Sequence, residues 1–270
     1  MVHASSPAGF AKQKPRALAA PAGEPVLHFA ADQRFGALAY ECEQLAARHG
    51  KQEQLAQLLG VAVDAVLRLG VGWHPRGAGF SPFHACYTVP EYLVREAPCG
   101  IQRRYDLEHP VTLWDGAELA SGDKRRLPGS CGAVTGLYGI ELIGEHTTDP
   151  ALICEGGSDT LAALSLGFAA VGKPQAKFPA GDQILGVLLR GRRAVIVRDN
   201  DDAGVEGAAE TAQTLALACP HVVVVAPPTG IKDLRQWHSA GGTRADLLAA
   251  IDAAKPVRLG SAVRTRRVLR

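Results

Sequence analysis

Apolar and polar positions fall into two regimes along this chain. From residue 151 onward, short apolar runs alternate regularly with amphipathic stretches. The runs at 151–155, 169–171, 194–197 and 221–226 are rich in Val, Ile and Ala and are bounded by turn-forming residues, so they read as buried strands. The stretches 159–166, 182–190, 203–219, 232–240 and 244–254 read as helices. Strands alternating with helices predict an α/β domain built on a mostly parallel four-stranded sheet with flanking helices. Before residue 151 the pattern differs. Residues 32–49 place Phe35, Leu38, Leu45 and Ala46 on one helical side, and 52–59 and 63–69 form a short helix pair around Gly60. Residues 71–140 bring frequent Gly, Pro and aromatics, with short apolar runs at 80–89, 99–105 and 111–114, which predicts a small strand-rich module. The short helix pair has the outline of a DNA-reading helix-turn-helix. Its second helix offers only Asp64 and Arg68 as polar readers, so packing is the expected role.

Composition narrows the classes. With 270 residues, 47% of them apolar, the chain can bury one large core or two modest ones. No apolar run approaches the roughly 20 residues of a membrane-spanning helix. Residues 1–23 hold no compact apolar stretch, so no secretion signal is expected. The six cysteines (Cys42, Cys86, Cys99, Cys131, Cys154, Cys219) are scattered. That spacing argues against a zinc ribbon or a disulfide framework and predicts reduced thiols in a cytoplasm. The formal charge of +2 hides an asymmetry: residues 1–23 and 255–270 carry basic residues and no acidic one, leaving a net acidic body. An acidic body with basic ends suits a metal-using centre and a polyanionic partner, although solubilising tails have the same composition. Residues 1–25, rich in Ala, Pro and Gly, are expected to be disordered.

Candidate chemistry gathers at strand ends. Asp199-Asn200-Asp201-Asp202-Ala203-Gly204 follows the apolar run Ala194-Val195-Ile196-Val197, and Glu155-Gly156-Gly157-Ser158-Asp159 closes the run that starts at 151. Open α/β sheets place their ligands at this carboxyl edge. Carboxylates brought there together repel one another unless cations neutralise them, and Mg²⁺ prefers such oxygen donors. An Asp-rich solvent turn would use the same residues. Asp159 and Asp233 each open a predicted helix, where capping is the alternative role. Lys232, beside Asp233, can meet a phosphate. Arg103, Arg104, Lys124, Arg125 and Arg126 form basic clusters, the last three read as a loop, that can hold phosphates or simply be solvated. The glycine and lysine spacing of Gly167 to Pro174 imitates a phosphate-binding P-loop, but Pro174 stands where a hydroxyl is required and the stretch reads as strand. The Asp-x-Asp pair also differs from that of haloacid-dehalogenase phosphatases, because it follows the third strand rather than the first and Ala203 stands where those enzymes have Thr or Val.

Glu-Gly at one strand end with Asp-x-Asp-x-Ala-Gly at a later one resembles the Toprim domain of bacterial-type DNA primases, topoisomerases, and certain nucleases and recombination proteins. The resemblance covers about residues 149–254. Within that group the chain most resembles the polymerase core of bacterial-type and phage primases. Glu155 to Asp159 matches Glu-Gly-x-x-Asp, Asp199 to Gly204 matches Asp-x-Asp-x-Ala-Gly, and Gly230-Ile231-Lys232-Asp233 resembles Gly-Lys-Asp-Pro-Asp with one residue inserted. Upstream, Phe80-Ser81-Pro82-Phe83, Gly100 to Arg104, Arg125 to Ser130 and Gly136-Leu137-Tyr138-Gly139 follow the order of the small basic subdomain of that core. The implied organisation is a basic tail at 1–25, a mixed α+β primase-core subdomain at 26–148, a Toprim domain at 149–254 and a basic tail at 255–270.

By that resemblance, Asp199 and Asp201 hold Mg²⁺ or Mn²⁺ with Asp159 and Asp233 assisting, and Glu155 is a further metal contact or the general base. Arg103, Arg104, Lys124, Arg125, Arg126 and Lys232 form the nucleic-acid or nucleotide-binding set. The implied activity is metal-dependent synthesis of short RNA primers on single-stranded DNA from nucleoside triphosphates, in the cytoplasm, with a separate replicative helicase as an optional partner. No zinc is expected. Arg235 stands where the family has the final Asp, so one acidic position is lost. No zinc-binding domain is read before the core and no helicase motif after it, which suggests a minimal core from a phage or other mobile element. A Toprim nuclease and a non-catalytic DNA-binding replication protein remain alternatives. A topoisomerase is not expected, because it needs a tyrosine-bearing cleavage domain for which no room is read.

Overall fold

The computed structural model describes residues 33–75, 84–95, 97–112, 116–126, 134–144 and 150–258. The predicted tail at 1–25, the end of the predicted 255–270 tail, segments 80–83 and 127–130, residues 113–114 and the expected boundary near 149 lie outside them.

Three helices open the described chain: α1 (Gln33–Arg48), α2 (Lys51–Leu59) and α3 (Val63–Arg68). Phe35, Cys42 and Ala46 are the buried stripe of α1. Leu55, Ala56, Leu59, Ala65 and Val66 of α2 and α3 all enter the main core, so this helix pair packs inward. Four strands, β1 (Gly72–His74), β2 (Cys86–Val94), β3 (Ala97–Tyr105) and β6 (Lys124–Arg126), form an antiparallel sheet in that order. A small separate hairpin, β4 (Val111–Thr112) with β5 (Glu118–Leu119), joins β3 to β6. The helix α1 presses so closely on β1 that a Cβ at Gly72 would lie 2.6 Å from Cys42.

Two elements differ from the sequence expectation. The strand expected at 80–89 runs instead from Cys86 through Pro90 and Glu91 to Val94. A proline and a carboxylate normally end a buried strand, and here irregular register at Glu91 and Tyr92 accommodates them. Residues 124–126, expected as a loop, form β6, with Arg104 opposite Lys124 and Arg103 opposite Arg125.

The second half follows the predicted alternation: β7 (Ala151–Glu155), α4 (Gly156–Ser165), β8 (Ala170–Lys173), α5 (Pro179–Leu188), β9 (Arg193–Val197), α6 (Asp202–Leu215), β10 (His221–Val225), α7 (Leu234–Ser239) and α8 (Arg244–Ala253). All neighbouring strands are parallel, in the order β10-β9-β7-β8. Side chains alternate across this sheet as strand geometry requires. Leu152, Cys154, Val195 and Val197 join one core with Tyr87, Val89 and α2–α4. Ala151, Ile153, Ala194 and Ile196 join another with residues of α5 and α6. Residues 137–138 stitch the two sheets together: Leu137 exchanges backbone hydrogen bonds with Tyr92 of β2, and Tyr138 with Gly172 of β8. The antiparallel module is thereby fixed beside the carboxyl edge of the parallel sheet. No helix among the described residues is long and apolar enough to cross a membrane.

Candidate functional site

Glu155 ends β7 and precedes the first turn of α4, whose opening glycine has a φ of 78° that other residues resist. Gly157 lies against Val89 of the antiparallel sheet, so α4 starts at the junction of the two modules. Asp199 follows β9 by two residues. A Cβ at Gly204 would lie 2.7 Å from the Asp199 carbonyl oxygen and 2.9 Å from its Cβ, so the glycine lets α6 begin directly beneath that aspartate. Asp201 caps α6, accepting from the Gly204 amide at 2.8 Å, and Asp233 caps α7, accepting from the Gln236 amide at 2.7 Å. Asp159 is buried, and Oδ1 accepts from the Arg235 backbone amide at 3.0 Å, tying α4 to the start of α7.

These carboxylates act on one another. Partial burial pushes Asp199 up to about 6, with Glu155, Asp233 and Asp201 adding repulsion. Asp159 is held well above the usual range by burial, then by Asp233 and Asp199. Glu155 is raised by burial and Asp201, with Lys173 and a hydrogen bond from the Ala176 amide opposing. The five acidic positions therefore share one electrostatic site. They do not close into a cage: among the described residues, no three carboxylate, imidazole or thiol groups are placed to hold one ion as they stand.

Basic residues approach from two directions. Lys232 Nζ is 3.8 Å from Asp201 Oδ2, an exposed pair. Lys124 reaches over from β6, its ammonium 3.5 Å from where a Gly156 Cβ would be. Its pKa is lowered by desolvation and by Arg104, while Asp159, Asp199 and Asp233 oppose that shift. Arg104 is opposite Lys124 in the sheet register and so shares its face; it is also within electrostatic range of Arg235. Arg103 and Arg125 occupy the other face of the same strands. Arg103 is buried, lies over the Tyr105 ring at 5.4 Å, and donates to the Arg126 carbonyl oxygen.

Arg126, expected in the phosphate-binding set, has its guanidinium engaged by a buried carboxylate. Its Nε donates to both oxygens of the fully buried Glu91, at 2.9 and 3.0 Å, and its Nη1 to Thr135 at 3.0 Å. Glu91 also accepts from the Gly136 amide and the Tyr138 hydroxyl. Arg126 thus compensates a buried charge. Truncating it leaves that charge unpaired, so Arg126→Ala should cost about 3–5 kcal/mol of stability by chemical denaturation. Converting the pair together, as Glu91→Gln with Arg126→Met, should recover much of that loss.

Two further arrangements escaped the sequence reading. Lys173, opposite Glu155 in the β7–β8 register, is buried with Asp182 and Thr211: its Nζ is 2.9 Å from Asp182 Oδ1 and donates to the Ala176 carbonyl oxygen at 2.7 Å. This pairing holds the loop whose amide faces Glu155. Asn200, between the two aspartates, bonds the loop that leads to Asp233. The only sequence signals were a lysine at a strand end and an amide inside the acidic motif.

No family model matches the sequence, and no curated protein is found as a relative. Solved structures do match. The RNA polymerase domain of Mycobacterium tuberculosis primase DnaG is similar with a TM-score of 0.60 and 18% identity, covering 83% of this chain and 83% of that one. The Aquifex aeolicus primase, comprising zinc-binding and RNA polymerase domains, gives 0.60 and 16%, covering 83% of this chain and 62% of that chain. A DNA primase domain from Pseudomonas aeruginosa gives 0.59 and 16%, with 83% and 79% covered. The chain has the fold of a primase RNA polymerase domain. In this chain the antiparallel and parallel sheets are joined through residues 137–138, and the acidic edge lies beside that junction. The M. tuberculosis domain has also been crystallised with a double-stranded DNA oligomer carrying a 6-nucleotide overhang.

Proposed function

We propose that this chain is a metal-dependent, primase-type nucleotidyltransferase that makes short RNA primers on single-stranded DNA. The observation that carries this reading is the meeting of two opposite charge sets on a primase fold. Glu155, Asp159, Asp199, Asp201 and Asp233 converge at the sheet edge while Lys124 and Arg104 face them from the antiparallel sheet.

The donor set fits Mg²⁺ or Mn²⁺. It is all carboxylate, as hard cations prefer, and it is open. Mg²⁺ is usually held by one or two carboxylates and keeps waters or substrate phosphates in its other positions. Asp199, whose carboxylate accepts no hydrogen bond among the described residues, and Asp201 would be the principal ligands, with Glu155, Asp159 and Asp233 supporting the negative field. When bound, such an ion supplies charge neutralisation of the triphosphate and a more acidic 3′-hydroxyl. Lys124, Arg104 and Lys232 hold the triphosphate and the template backbone by charge-assisted hydrogen bonds. Glu155, at the end of β7 and raised from its ordinary value by burial and by Asp201, would serve as the proton acceptor. The partners in this reading are a single-stranded template, nucleoside triphosphates and, in a cell, a separate replicative helicase, with the cytoplasm as the working compartment.

The test is incubation with single-stranded DNA, labelled ribonucleoside triphosphates and Mg²⁺ or Mn²⁺. Short oligoribonucleotides are expected. Cutting of the DNA strand would assign the carboxylates to nuclease chemistry, and binding without either product would make the chain a non-catalytic DNA-binding protein.

A further inference from the structure

Asn200 is flanked by the two aspartates of the acidic turn, and its side chain is committed to a different element. Nδ2 donates to the Ile231 carbonyl oxygen at 2.7 Å and to that of Pro227 at 3.0 Å, with the Pro228 carbonyl oxygen at 3.4 Å. The Asn200 backbone amide donates to the Lys232 carbonyl oxygen at 2.7 Å. On its other side Oδ1 accepts from Arg198 Nη1 at 3.1 Å, and the same guanidinium nitrogen donates to the Asp199 carbonyl oxygen at 2.8 Å. Both ends of the amide are thus used, which fixes its orientation.

The loop it grips has a specific need for such a donor. Pro227 and Pro228 lack amide hydrogens, so that stretch offers carbonyl acceptors and cannot itself reach across to the acidic turn. Gly230, with φ of 87° and open space around it, adds conformational freedom rather than an anchor. Lys232 and Asp233 stand directly after it.

We infer that Asn200 is a positioning residue: it latches the 227–232 loop to the Asp199–Asp201 turn and so sets where Asp233 and Lys232 stand relative to the central aspartates. This rests on the metal-site reading above. Neither Asp201 nor Asp233 is held to the other by any direct bond among the described residues; each is fixed to its own helix. Without the side chain, the backbone bond from residue 200 to Lys232 and the Asp159–Arg235 bond still tie this loop and the start of α7 to their neighbours, so the site loosens in alignment rather than in charge.

The test uses the full chain as wild type, Asn200→Ala, Asp233→Ala and the double variant. Hydrogen exchange of the metal-free proteins should rise about tenfold over residues 229–233 in Asn200→Ala while the β7 and β9 amides stay protected. Mn²⁺ affinity, followed by titration calorimetry, should fall about tenfold in Asn200→Ala, the usual effect of losing a group that orients ligands. In the Asp233→Ala background the same change should cost less than about twofold, because the carboxylate it places is gone. Unchanged exchange in the loop overturns the latch whatever the cation does. Equal losses of affinity in both backgrounds overturn the positioning role of Asn200 toward Asp233. Failure of the wild type itself to bind Mn²⁺ overturns the cation site, a result distinct from either of these.

Discussion

Asp199→Ala is expected to lower primer synthesis at least a hundredfold while leaving the fold intact. The loss follows from removing the central negative group of a preorganised electrostatic site, where one such interaction supplies about 3 kcal/mol of transition-state stabilisation. Asp201→Ala should lose activity to a similar degree but differ in stability. Asp201 caps α6, so its removal should also cost about 1 kcal/mol. Asp199 caps nothing among the described residues, and its neighbours oppose its ionised form. Its removal should therefore raise the thermal midpoint of the metal-free protein at neutral pH. A stabilised and inactive Asp199→Ala separates a chemical role from a structural one, and the checks are a primer-extension assay and a melting curve. Retained synthesis would remove the assignment.

The second large effect is on pH and divalent ions together. Asp199 has an ordinary value of 3.8 and a folded value of about 6, and Glu155 and Asp159 shift the same way. A carboxyl whose folded pKa is raised holds its proton more tightly when folded. The stability it contributes is fully present below pH 3.8 and is lost as pH rises through about 6. Other carboxylates obey the usual opposite trend, so the useful quantity is a difference. Between about pH 4 and pH 7 the metal-free wild type should lose stability relative to Asp199→Asn. Saturating Mn²⁺ should abolish that difference at pH 7, because binding to the folded state alone adds stability by mass action. Parallel pH curves of the two proteins in the absence of metal would show that neither burial nor the neighbouring carboxylates raise Asp199.

The parallel sheet was legible because each strand is a short β-branched run ending in a polar turn, and each helix follows within a few residues. Val197 and Cys154 fall on one side of that sheet and Ile196 and Ile153 on the other, as alternation requires. The acidic edge was legible for the same reason: once 151–155 and 194–197 are strands, Glu155 and Asp199 must leave at the same end. The antiparallel module was harder. Its strands run over Pro90-Glu91 and through a run of basic residues, patterns that sequence reading treats as strand ends and loops. With 124–126 taken as a loop, the alternation that puts Arg104 and Lys124 on one face and Arg103 and Arg125 on the other stayed hidden. Arg126 was unreadable because its partner, Glu91, lies 35 residues away in sequence. Asn200 was passed over because an amide between two aspartates is ordinary turn chemistry until the carbonyl oxygens it meets are known.

Under the proposed function, this sheet edge holds divalent ions by a few carboxylates. Diffraction from crystals soaked in Mn²⁺, with anomalous difference maps, tests it most directly. A peak is expected about 2.0–2.3 Å from an oxygen of Asp199 or Asp201, with water or substrate phosphate completing the shell. Anomalous peaks confined to other parts of the surface, with Asp199 and Asp201 left unligated at saturating Mn²⁺, would contradict it.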